Sequence, residues 1–180
     1  MIQVFTTGGT IDKVYFDAQS EFEVGDPLIA EIFQTAGVQA PFEVETLMRK
    51  DSLAITDEDR ATIAERIVET PYTRLLVTHG TDTMTQTAQA VSEALLDSPS
   101  SGFDKTVVFV GSLTPARFRQ SDAEFNVGFA LAAVQILPPG VYVAMNGRFF
   151  DARNVAKNRA QNRFEDTRAD AAVPSAATAS

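Results

Sequence analysis

Two hydroxyl-rich runs, Thr6-Thr7-Gly8-Gly9-Thr10 and Thr78-His79-Gly80-Thr81-Asp82-Thr83, each follow directly on a short apolar segment, residues 2–5 and 75–77. A buried parallel strand has that signature, so both runs are expected to leave a sheet at the carboxyl ends of strands. Open α/β sheets bind ligands at that edge, and glycines there let backbone N–H groups approach an anion or oxyanion. The chain contains no cysteine, so covalent chemistry falls to threonine, serine, lysine or a carboxylate. A threonine hydroxyl is inert until a base takes its proton. Asp82, beside Thr81, offers an orienting carboxylate, and Lys157, within Arg153-Asn154-Val155-Ala156-Lys157-Asn158, is a candidate base. A lysine at a reference pKa near 10.4 is only about 0.04% neutral at pH 7. Reaching ~10% requires a pKa of about 8, a shift of ~3.3 kcal/mol supplied by burial or cationic neighbours.

The elements that position these residues alternate along the chain. Residues 2–6, 42–47, 75–78, 106–110 and 141–145 read as strands, with helical patterns between them. One helix is expected over residues 27–36, with Asp26 as N-cap, Pro27 at the first helical position and Gly37 as C-cap. Residues 57–69 follow Thr56 as N-cap; Asp57, Glu58 and Asp59 suit the positive end of the helix dipole, and Ile63, Ile67 and Val68 mark an apolar face. A third helix is expected over residues 83–96. A fourth starts after Ser121, where Ser-x-x-Glu124 predicts a capping box, and runs through apolar residues 129–137, as core or interface, to Pro138-Pro139-Gly140. This rhythm predicts a mostly parallel sheet with helices on both faces. Three stretches break it. Residues 7–26 form a long connection carrying Tyr15, Phe16 and Phe22, a possible lid over a site; residues 111–121 follow a strand and carry Arg117 and Arg119; beyond Asp151 the pattern weakens. The domain is expected to span residues 1–160, with residues 161–180 a poorly packed tail.

Composition narrows the partners. A net charge of −9 on 180 residues argues against a nucleic-acid backbone as ligand. A single histidine and no cysteine exclude the common metal clusters, so neither metal nor cofactor is expected. The amino terminus, Met1-Ile2-Gln3-Val4-Phe5, lacks the basic and apolar regions of a secretion signal, and no segment reaches the ~18 apolar residues of a membrane span. A cytoplasmic chain without membrane association is the expectation.

Thr-Gly-Gly-Thr-Ile at residues 7–11, Thr-His-Gly-Thr-Asp-Thr-Met at 78–84 and Asn-Val-Ala-Lys at 154–157, in this order and spacing, resemble the bacterial-type L-asparaginase family. The resemblance covers residues 1 to about 160. It implies a flavodoxin-like α/β amino-terminal domain and hydrolysis of L-asparagine, and more weakly L-glutamine, through a threonine acyl-enzyme. By that resemblance Thr10 is the nucleophile, while Thr81, Lys157 and Asp82 form a relay that moves protons and positions water. Ser52 and Asp82 hold the substrate's α-carboxylate and α-ammonium, and the backbone around Gly9 and Gly80 contributes to binding and to the oxyanion site. His79 takes a structural role. The family's loop tyrosine is replaced by Phe22 in this alignment, leaving Tyr15 as the loop's phenol. The chain ends where the family's first domain does, which suggests a short single-domain form, and the family's assemblies imply a homo-oligomer, dimer or tetramer. Two other readings stay open. One is a non-catalytic or partner-dependent asparaginase-like subunit, for instance of an amidotransferase. The other is a nucleotide- or flavin-binding module, although Gly8-Gly9-Thr10 matches neither Gly-x-Gly-x-x-Gly nor Gly-Lys-Ser/Thr.

Overall fold

The computed structural model describes residues 1–16, 21–98 and 104–168. Five parallel strands form the centre: β1 (Ile2–Gly8), β4 (Phe42–Lys50), β5 (Arg74–Thr78), β6 (Thr106–Val110) and β7 (Gly140–Met145). Between the first two lies a small antiparallel hairpin, β2 (Lys13–Phe16) with β3 (Glu21–Val24). The antiparallel edge strand β8 (Arg148–Asp151) completes a six-stranded sheet in the order β4-β1-β5-β6-β7-β8. Counting only the parallel strands, that order is 2-1-3-4-5, the flavodoxin-like arrangement, and its topological switch lies between β1 and β5. The expected mostly parallel α/β fold is therefore present.

Alternating side chains divide the apolar residues between two layers, as a sheet covered on both faces requires. Phe5, Leu75, Val77, Val107, Phe109 and Val143 face α2 (Asp57–Glu69) and α3 (Met84–Asp97), which bury Ile63, Ile67, Met84, Ala88, Val91 and Leu95. On the other face, Val4, Leu76, Val108 and Val110 meet α1 (Ile29–Thr35) and α4 (Ala123–Ile136) through Ile29, Phe33, Val127, Ala130 and Val134. The expected α2 cap is present in full: Thr56 and Asp59 satisfy each other's backbone N–H groups in a capping box. Gly37, at φ 64°, ends α1, with Val38 N–H donating to the Phe33 carbonyl at 3.0 Å.

Four local expectations are corrected. The long connection of residues 7–26 is not without elements: Lys13–Phe16 and Glu21–Val24 pair as antiparallel strands, each too short to stand out from a loop in the sequence. The side chains of Tyr15 and Phe22, the lid candidates, lie outside the described part of the structure. Asp26 does not cap α1: the helix begins only at Ile29 with Leu28 as N-cap, and the Asp26 carboxylate pairs with Arg49 at 2.7 Å. The Ser121–Glu124 box is absent: Asp122 is the N-cap, and its carboxylate accepts from the backbone of Leu113 and Thr114 instead. Finally, the tail does not begin at residue 161. β10 (Arg163–Asp166) pairs antiparallel with β9 (Val155–Asn158), and Phe164 is buried in the core. Residues 169–180 lie outside the described residues.

Candidate active site

The two hydroxyl-rich runs meet where the sheet's connections diverge. β1 and β5 are hydrogen-bonded neighbours, Thr6 opposite Thr78, so the segments that leave them emerge side by side. Gly9 has φ 93° and ψ −172°, a conformation that favours glycine, and it opens a 3₁₀ turn, Thr10–Asp12. A Cβ on Gly9 would lie 2.4 Å from Gly80 Cα, and a Cβ on Gly80 would lie 2.6 Å from Ser52 Cβ. The absence of side chains at Gly9 and Gly80 therefore packs the β1 and β5 exits backbone to backbone and seats the Ser52 side chain of the Ser52–Ala54 3₁₀ turn against Gly80. Hydrogen bonds lock the assembly. Thr7 Oγ1 donates to the Thr78 carbonyl at 2.9 Å, Gly9 N–H to Lys50 O at 3.0 Å, and Thr83 Oγ1 to Ser52 O at 2.7 Å.

His79 belongs to this support. It is fully buried, and because the Gly80 carbonyl beside Nδ1 at 2.8 Å can only accept, Nδ1 carries the proton and Nε2 accepts from Thr87 Oγ1 at 2.9 Å. Burial pushes its pKa down to about 4, so the ring is neutral at physiological pH and ties the β5 exit to α3.

Thr81 and Asp82 lie immediately before α3, whose N-terminal dipole favours negative charge. Lys157, on β9, comes from 75 residues further along the chain. Its Nζ donates to Thr81 Oγ1 at 2.8 Å and to Asp82 Oδ1 at 2.8 Å. Thr81 is 5% exposed, and the side chains of Lys157 and Asp82 are 9% and 39% exposed, so the relay is covered on the Thr81 side and open at the carboxylate. Val155, Ala152 and Phe164 pack into the α3-side core and fix β9 in that position.

Asp82 and Lys157 also line an open cleft of about 220 Å³ with Leu53, Arg159 and Asn162. Of the residues expected at the site, Thr81, Asp82 and Lys157 are thus joined by direct hydrogen bonds. Gly9, Gly80 and Ser52 are in contact with one another, with Ser52 buried. Thr10 stands one residue beyond Gly9, partly exposed, on the 3₁₀ turn. No hydrogen bond joins it to the relay among the described residues.

Sequence reasoning missed three contributors. Asp12 is 1% exposed; its Oδ1 accepts from Leu28 N–H at 3.0 Å and its carbonyl from Gly25 N–H at 2.8 Å, closing the base of the hairpin two residues after Thr10. Burial, opposed by the Leu28 N–H and the charge of Arg49, raises its pKa to about 6. Arg159 and Asn162 were hidden because their part in the cleft depends on the β9–β10 turn. Among the described residues, no group of acidic or histidine side chains is arranged to hold a metal ion.

The 2-1-3-4-5 sheet, with a cleft lined by the Lys157–Asp82 pair and a threonine hydroxyl bonded to the same lysine, defines a flavodoxin-like α/β protein. The model of the asparaginase amino-terminal domain matches residues 1–171, and this chain belongs to the asparaginase family. The L-asparaginase of Thermococcus kodakarensis is 33% identical over 161 residues, covering 86% of this chain and 46% of that protein. A glutamyl-tRNA(Gln) amidotransferase component from Aeropyrum pernix is 31% identical over 168 residues, covering 86% and 37%. The crystal structure of L-asparaginase I from Vibrio cholerae superposes with a TM-score of 0.77 at 26% identity, over 92% of this chain and 50% of that one. The chain thus spans about half the length of such relatives.

Proposed function

We propose that this chain hydrolyses the side-chain amide of L-asparagine to L-aspartate and ammonia, with L-glutamine a poorer substrate. The observation that carries the reading is Lys157 Nζ at 2.8 Å from both Thr81 Oγ1 and Asp82 Oδ1, beside the Thr10 turn at the switch point. Thr10 Oγ1 adds to the amide carbon, and backbone N–H groups near Thr10 and Thr81 stabilise the oxyanion. The C–N bond then breaks, and ammonia leaves with the proton that the threonine gave up. Water activated through Thr81 and Lys157 attacks the resulting ester, releasing aspartate and restoring Thr10. Asp82 orients Lys157 and, through its exposed side, meets the substrate ammonium, while Ser52 binds the α-carboxylate. Exposed Phe125, Ile136 and Phe149, with Phe125, Phe129 and Phe149 stacked in sequence, support assembly as a homo-oligomer, dimer or tetramer.

The likeness to an amidotransferase component favours one second reading, in which the same amide chemistry serves a partner protein. Ammonia release from L-asparagine by the purified chain alone decides between them. The hydrolase reading expects turnover that Thr10→Val abolishes; release only when a partner is added supports the other.

A further inference from the structure

We infer that Arg159 is a carboxylate anchor of the cleft and helps to select substrates that carry a carboxylate on the same carbon as the ammonium. The inference rests on the amide-hydrolase reading above. Asp82 and Lys157 are already paired with each other at 2.8 Å, so their charges largely cancel. Arg159 is the remaining charged residue lining the cleft, and among the described residues it has no ion-pair or hydrogen-bond partner. Its neighbours in sequence are all engaged: Arg153 with Asp151, Arg163 with Glu165, and Arg168 with Asp166. Each of those carboxylates is thereby occupied, and Arg159 is left for a ligand.

The turn that carries Arg159 is built rather than loose. Asn158 Oδ1 accepts from Gln161 N–H at 3.1 Å, Asn158 Nδ2 donates to Glu165, Asn162 closes the turn at φ 49°, and Phe164 roots it in the core. The backbone of Arg159 therefore sits on an ordered turn, two residues beyond Lys157 at the rim of the cleft. An α-amino acid presents its ammonium and carboxylate on one carbon. Once the ammonium meets Asp82, the carboxylate needs a cation nearby that is not already paired. Ser52 contributes only a neutral hydroxyl. A guanidinium offers two parallel N–H donors, which match a carboxylate.

The test compares Arg159→Gln and Arg159→Lys with the wild-type chain. L-Asparagine is set against 3-aminopropanamide, which keeps the amide and ammonium but lacks the carboxylate, and L-aspartate binding is followed by calorimetry. Arg159→Gln is expected to raise the asparagine KM and weaken aspartate binding roughly 10- to 100-fold, with kcat held within about threefold. The loss should be confined to ligands with a carboxylate, and Arg159→Lys should recover part of it. An unchanged KM, or equal losses of kcat/KM on both amides, would overturn the anchor and leave Arg159 a mere part of the turn. If the wild-type chain does not turn over asparagine but loses aspartate binding in Arg159→Gln by the stated factor, the anchor stands and the hydrolase reading falls.

Discussion

Lys157 makes two contacts that pull it in different chemical directions: a hydroxyl that it deprotonates in the proposed mechanism and a carboxylate that holds it in place. Arginine at this position keeps the charge and the pairing with Asp82 but cannot give up a proton at accessible pH. Lys157→Arg is therefore expected to lose at least ~10²-fold in kcat, as general acid–base contributions of this kind do, and Lys157→Met no less. Near-wild-type turnover in the arginine variant would show that the lysine only neutralises charge. Asp12 and His79 set a second expectation, on stability. Asp12 is raised to about 6, so the folded chain holds its proton more tightly than the unfolded chain, and this group stabilises at low pH and loses that contribution as pH rises from about 4 to about 6. Its ionisation then costs about 3 kcal/mol at neutral pH. His79, lowered to about 4, acts in the opposite sense: its contribution is present above about 6.5 and is lost as pH falls towards 4. The two oppose each other over nearly the same interval. Asp12→Asn, which keeps an acceptor for Leu28 N–H, should raise the urea midpoint at pH 7 to 8 and not at pH 4. It should also uncover a stability that climbs with pH between about 4 and 6.5. Equal midpoint shifts at both ends would mean that the carboxyl is not perturbed.

Among the elements, the strand ends carry the site and the glycines decide how closely they approach. Gly9→Ala forces a side chain into positive φ and onto the Gly80 backbone at 2.4 Å. Overpacking of this order costs about 1 to 3 kcal/mol. Because the displaced segments are those of Thr10 and Thr81, kcat should fall by more than stability alone accounts for, measured at a temperature where the variant is fully folded. Retained kcat would separate the β1–β5 packing from catalysis. This is also the scale at which the sequence was most uneven to read. The central strands were legible because each is a short apolar run buried on both faces, and α2 was legible because Thr56 and Asp59 cap it locally. Asp26 looked like an equally good cap, but the helix starts three residues later, where buried Asp12 takes the Leu28 N–H, and Asp26 pairs with Arg49 at the surface. β10 was hidden because Phe164 is its lone buried side chain amid charged neighbours, and its pairing depends on β9 already being docked against α3.

For the whole molecule, the switch point of the sheet brings Thr10 and Thr81 to one edge, and β9 brings Lys157 to it from the far end of the chain. Motif order exposed those residues, whereas Arg159 and Asp12 were invisible until the turn and hairpin that position them were folded. α4 has a similar history. Its apolar outer face reads in sequence as core or interface, and the structure leaves Phe125 63% and Ile136 75% exposed. Phe125→Asp is therefore expected to shift the chain to a smaller species in light scattering coupled to size exclusion, with helical content unchanged. An unaltered mass would remove this face from the assembly. The central claim, a threonine acyl-enzyme formed at the β1 exit, is tested most directly by mass spectrometry of the chain quenched during turnover of L-asparagine. The account expects an aspartyl ester on the peptide containing Thr10, absent in Thr10→Val. An ester on Thr81, with Thr10 unmodified, would contradict it.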